Sequence, residues 1–281
     1  MVTIVNEASV DGEPFGRNAS RKRLLTRERV PSVRVLADRI SLRAESACDL
    51  HIPQDGLAWI QVLSGRLSLA CGSEDEAIGE THVALLPPGS HSRLTSSMGA
   101  ELLYAEVPRA AEIDSDFSAN PPVFKTIDWT REPVLDSKFD ARKRVYVATP
   151  KLFGTKAIKA EIISYPKATS GSNHHHEGAE HFMYVISGST TGYSNEAPHR
   201  YRAGDIVHHP DGERHYSVTS EDEEYRFVEF FVPSEYRTVW QNTNRVCTWV
   251  PTGKDSRGER PSREIGAHDS QSAAVNCPED I

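Results

Sequence analysis

His174-His175-His176-Glu177-Gly178-Ala179-Glu180-His181 opens a stretch that passes a turn glycine at Gly188. It closes with Gly204-Asp205-Ile206-Val207-His208-His209-Pro210-Asp211-Gly212-Glu213-Arg214-His215. Imidazole is the commonest protein ligand for transition metals, and histidines this dense point to an ion more readily than to a solvated His-rich loop. The run is internal and changes pattern after three histidines, so an expression tag does not account for it. Side chains alternate faces along a strand, so two neighbours cannot both point into one interior. On that rule His181, Met183 and Val185 share one face, and Glu180, Phe182 and Tyr184 share the other.

The same residues resemble the two motifs of the cupin superfamily, G-x5-H-x-H-x(3,4)-E-x6-G and G-x5-P-x-G-x2-H-x3-N. The second fits without gaps through Gly204, Pro210, Gly212 and His215, departing only at its last position, Thr219. In the first, His174 and His176 supply H-x-H, and Ala168 stands where the leading glycine belongs. Counting back from Gly188 puts the acidic-ligand position on His181, with Glu180 one place earlier. Some cupins with this Glu-His pair are similar in binding metal through four histidines. The resemblance therefore implies ligation by His174, His176, His181 and His215, with Glu180 as the fallback ligand. It also implies an all-β fold of jelly-roll (double-stranded β-helix) barrels.

Working outward, short β-type segments fill the first half: Val33 to Leu36, Ile40 to Leu42, Leu57 to Leu63, Leu67 to Ala70, His82 to Leu86 and Leu102 to Val107. Gly and Pro turns separate them, as in all-β sandwiches and barrels. Leu63-Ser64-Gly65 echoes Ile186-Ser187-Gly188, and Pro87-Pro88-Gly89 echoes Pro210-Asp211-Gly212. The differences 188 − 65 and 212 − 89 both equal 123, so two landmarks far apart share one offset. That is an internal duplication, and the chain looks like a bicupin. The offset carries His174 onto His51, His176 onto Pro53, His181 onto Ala58 and His215 onto Ser92. Three of those four cannot ligate, so the first barrel is expected to be metal-free. The domains expected are an N-terminal arm (1–32), a degenerate cupin (33–115), a metal-binding cupin (120–250) and a polar tail (251–281), mobile or lying along the surface.

The chain has 281 residues, enough for two modest domains with real cores. Its net charge of −8 argues against nonspecific nucleic-acid binding. The basic segment Arg21, Lys22, Arg23, Arg27 and Arg29 reads as a solvated arm. No apolar run reaches the roughly 20 residues of a membrane span. The first 30 residues lack the apolar core of a secretory signal, so a cytoplasmic protein is expected. Cys48, Cys71, Cys247 and Cys277 form neither a C-x-x-C pair nor a disulfide framework. Trp129, Trp240 and Trp249 lie outside the barrel motifs, where a homodimer contact is expected.

Four neutral imidazoles suit Fe(II) or Mn(II) first, with Zn, Ni, Co or Cu as the alternatives. They leave the dipositive charge on the ion, which favours an enolate, phenolate or carboxylate ligand. Resemblance to cupins with an intact site implies a dioxygenase acting on a small molecule and O2. The alternatives are an isomerase, lyase or hydrolase using the metal as Lewis acid, and a non-enzymatic binding protein. One of His208 and His209 should point inward as acid or base, and the candidates for catalysis are Glu180, His209 and Tyr193. Tyr193 is a rim residue on this reading, and Glu180 orients a neighbouring imidazole.

Overall fold

The computed structural model describes residues 1–244 and 246–268. The chain divides into two compact units, one made of Val5–Trp129 and Phe153–Ala157, the other of Met1–Ile4, Thr130–Leu152 and the chain from Ile158 onward. Both are antiparallel β structures. The α-helix Pro150–Phe153 is a single turn, and no helix among the described residues is long and apolar enough to cross a membrane. Cys48, Cys71 and Cys247 are buried free thiols; Cys277 lies outside the described residues.

In the first unit the sheet runs Lys125–Asp128, His82–Leu86, Leu57–Cys71, His91–Ser96, Leu36–His51, Arg17–Leu25, Glu13–Pro14, and Ala100–Val107 pairs with both long strands. Alternation along Leu57–Cys71 sends Ala58, Ile60 and Val62 into a core shared with Ile40, Leu42, Leu94 and Leu102. Of the positions the 123-residue offset assigns to metal ligands, Ala58 is therefore core. His51 is exposed and stacks on His91 across the strand pair, centroids 4.5 Å apart.

The second unit runs Arg237–Trp240, His174–Glu177, His215–Val218, Glu180–Ser194, Tyr225–Val232, Lys159–Tyr165, Lys143–Ala148, Val134–Ser137, Trp249–Pro251. The duplication extends to an irregularity: the register shifts between Val62 and Ser64 in one long strand and between Val185 and Ser187 in the other. Each shift is followed by a glycine at positive φ, Gly65 (78°) and Gly188 (74°). A Cβ on either would collide with a backbone carbonyl oxygen, that of Gly99 or Glu224, so glycine is required for steric as well as torsional reasons.

Two expectations from the sequence are corrected, and a third is narrowed. Residues 1–32 are not a free arm: Arg17–Leu25 is a sheet strand paired with Leu36–His51. It is an outer strand whose arginines face outward and bind Glu13, so its composition reads as solvated. The single metal strand expected from His174 to Ile186 is two strands broken at Gly178, φ 94°. The tail is anchored at least as far as His268, which forms a bridge with Trp249 through both backbone hydrogen bonds, 3.0 and 3.1 Å.

Candidate metal centre

The break at Gly178 creates the site. The short strand His174–Glu177 lies between His215–Val218 and Arg237–Trp240, with His174 opposite both His215 and Trp240. After the break, His181 enters the long strand opposite His209 on one side and Phe231 on the other. Met183, two residues on, lies opposite Glu229, which in turn lies opposite Glu161. Inward parity on four strands thus gathers imidazoles at one end and a carboxylate pair beside them.

One atom each of His176, His181, His215 and Glu229 lies within 4.8 Å of the others, and all four residues are buried. The Nε2 atoms of His176, His181 and His215 make no hydrogen bond, and that of His181 stands 3.4 Å from Glu229 Oε1. An unpaired buried nitrogen costs roughly 1–3 kcal/mol, so three converging on one point is an arrangement a cation would relieve. His215 Nδ1 lies 2.8 Å from the Glu213 carbonyl oxygen, which can only accept, so Nδ1 carries the proton and Nε2 presents its lone pair. His176 Nδ1 is 3.2 Å from Thr238 Oγ1. Burial first, then neighbouring histidines, holds all three rings far below the usual histidine range, so they are neutral and competent to ligate. Burial, with the Glu161 carboxylate next, pushes Glu229 up to about 8 in the absence of a cation. A bound ion would reverse that direction.

The expected ligands do not all fall together. His174 is at the cavity wall, its ring 4.4 Å from His215 and 4.8 Å from His176, yet it is outside the tight group that Glu229 completes. Its Nδ1 donates to Ser172 O at 2.7 Å, which aims Nε2 inward, and burial holds it down to about 3. Glu180, the fallback ligand, is corrected: it faces away from His181 and bonds His208 Nε2 at 3.1 Å. Strand parity separates the two neighbours, so Glu180 stays out of the ligand group, and the neighbouring imidazole it holds is that of His208. Tyr193 is also displaced, lying opposite Tyr216 and stacked on it at 4.5 Å rather than reaching the imidazoles. His209 is the inward member of its pair. It is fully buried, 4.9 Å from His181 and 4.5 Å from His215 between ring centroids, and its Nδ1 donates to Glu213 Oε2 at 3.1 Å while Nε2 is unpartnered.

Glu229 and Glu161 were missed. Each is the one carboxylate of its strand, with inward parity shared by Phe227 and Phe231 or by Ile163 and Tyr165. That isolated charge was the available signal. The cavity beside the imidazoles measures about 70 Å³ and is lined also by Arg142, Arg144, Met183, Ser217, Tyr236 and Trp240. Trp240 and Trp249 both line it. Arg144 makes a 2.9 Å ion pair with Glu161 and stacks over Trp249 at 4.1 Å; Lys159 Nζ lies 3.8 Å from Glu161. Arg142 is bound to Asp140 at 2.8 Å.

A model of the cupin domain family matches residues 161–231, a span that holds Glu161, His174, His176, His181, His209, His215 and Glu229. A search of curated proteins by sequence found no match. Among solved structures the chain is similar to the protein Ylba from E. coli, with a TM-score of 0.67 at 12% identity, over 82% of this chain and 90% of that one. It is similar to a deletion mutant of Bacillus subtilis oxalate decarboxylase, with a TM-score of 0.66 at 17% identity, over 85% of this chain and 79% of that one. Another structure of that enzyme, described by its Mn(II) centres, gives 0.66 at 16% identity over the same shares. At such identities these likenesses speak for the fold alone. The segment 161–231 is a cupin domain, and the chain that contains it has the fold of a two-barrel cupin.

Proposed function

We propose that the second barrel is the active half of a metal-dependent enzyme whose substrate is a small carboxylate anion bound at the metal. The observation that carries this is the charge of the buried wall. With Glu229 ionised, as a ligated cation would make it, Arg142, Arg144 and Lys159 are matched by Asp140, Glu161 and Glu229. The imidazoles are neutral, so a divalent ion held by His176, His181, His215 and Glu229 or His174 adds two charges that no nearby side chain neutralises. Buried charge is tolerated only when paired. A chelating anion supplies the pairing, and about 70 Å³ restricts it to a few heavy atoms.

A bound divalent ion would polarise a coordinated substrate oxygen. The chain's own residues supply the rest. The Arg144 guanidinium faces the ligand's carboxylate, Glu161 stands between Arg144 and Glu229 as the group to accept or return a proton, and Phe227, Phe231 and Trp240 exclude water. Lewis-acid cleavage of the lyase type agrees with this acid–base wall and with the likeness to oxalate decarboxylase. A dioxygenase is the second reading, favoured by the largely imidazole ligand set. Metal-loaded protein assayed with small dicarboxylates and 2-oxo acids separates them. Turnover under strict anaerobiosis supports the lyase reading, and stoichiometric O2 uptake supports the dioxygenase. Metal-independent turnover, or no effect of any such anion on the bound metal, contradicts both.

A further inference from the structure

We infer that the C-terminal segment from Trp249 to His268 is the distal wall of the ligand site, and that His268 positions the Arg144 guanidinium through Tyr146. This rests on the anionic-substrate reading above. His268 lines the cavity although about 30 residues separate it from the last strand of the histidine sheet. A directed chain of hydrogen bonds leads from it. The Nδ1 of His268 faces the Gly266 carbonyl at 3.3 Å, which leaves Nε2 to accept from the Tyr146 hydroxyl at 2.8 Å. The hydroxyl oxygen in turn accepts from Arg144 Nη1 at 3.1 Å. Arg144 can only donate, so the hydroxyl proton must go to His268, and the direction of the chain is fixed. Through Nη2 the guanidinium meets Glu161. Rotating Tyr146 away would leave Arg144 tethered at that end and by its stack on Trp249.

The segment is held from outside the cavity. Buried Glu132 accepts from Ser262 Oγ at 2.7 Å and from Arg263 Nε at 2.6 Å. Ile265 packs with Leu135, Tyr146, Cys247 and Trp249. Ahead of these anchors Lys254 and Arg257 are exposed. The wall can therefore be loosened without touching a residue that would hold metal or substrate.

The test compares wild type, the double variant Ser262→Ala/Arg263→Ala, His268→Ala and His268→Gln. Co(II) serves as the metal and malonate as the anion, read from the visible Co(II) spectrum. Co(II) affinity and the anion-free spectrum are expected to be unchanged in all four. Malonate affinity is expected to fall about tenfold in the double variant and in His268→Ala, and to recover in His268→Gln, whose amide oxygen can accept from Tyr146. Malonate should also slow tryptic cleavage after Lys254 and Arg257 in the wild type. Equal malonate affinity in all four proteins overturns the inference while leaving the anionic-substrate reading intact. Lost Co(II) binding in His268→Ala and the double variant overturns it too, by showing a general structural role. Absence of any malonate response in the wild type overturns both.

Discussion

Glu180 and His181 are neighbours in the chain with opposite fates, because a strand presents them to opposite faces. His181→Ala is expected to lower metal affinity by more than about 100-fold, and Glu180→Gln to leave metal content unchanged; both are checked by metal analysis after gel filtration. Glu229→Gln discriminates between the two candidate fourth ligands: weakened binding assigns Glu229, and unchanged binding returns the place to His174. The imidazoles were legible because H-x-H and the second motif are spaced by strand and turn geometry. Glu229 was not, since no motif position marks it and only its isolation among phenylalanines sets it apart. In the first unit, burial pushes Asp38 up to about 6. A raised folded-state value means that Asp38 contributes most below its unfolded value near 3.8, and that this contribution is lost as pH rises through 6. Asp38→Asn should therefore stabilise the protein more at pH 8 than at pH 5, by about 1 kcal/mol in urea denaturation. An equal effect at the two pH values would contradict the assignment.

At the scale of elements, the paired register shifts show how a duplication persists in backbone where side chains have diverged. Gly188→Ala must relieve both a positive φ and a clash with Glu224 O, and should cost about 2 kcal/mol or more. Gly72→Ala, at φ 63° with open space around the added carbon, should cost only about 1 kcal/mol. Equal losses in chemical denaturation would show that the close approach is not real. Strands with regular alternation were legible from sequence. Arg17–Leu25 was not, because an outer strand carries its charges on a solvent face, and neither was the anchored tail, whose hold is a Glu132 clamp invisible to hydropathy. The split at Gly178 was hidden because one glycine inside a polar histidine run gives no periodicity to read.

For the whole molecule, the two barrels share connectivity but differ in what fills them: aliphatic side chains in one, imidazoles and a charged wall in the other. Metal binds the folded state alone on this account, so chelation should destabilise the protein by RT ln(1 + [M]/Kd), about 2.7 kcal/mol at free metal 100 times Kd. Differential scanning with and without chelator should show that loss in the wild type and none in His181→Ala/His215→Ala. Counting bound metal per chain in those same two proteins tests the central claim most directly. One ion per chain in the wild type and none in the double variant is the predicted result. An ion retained by the double variant, or two per wild-type chain, would place metal in a barrel where the account puts none.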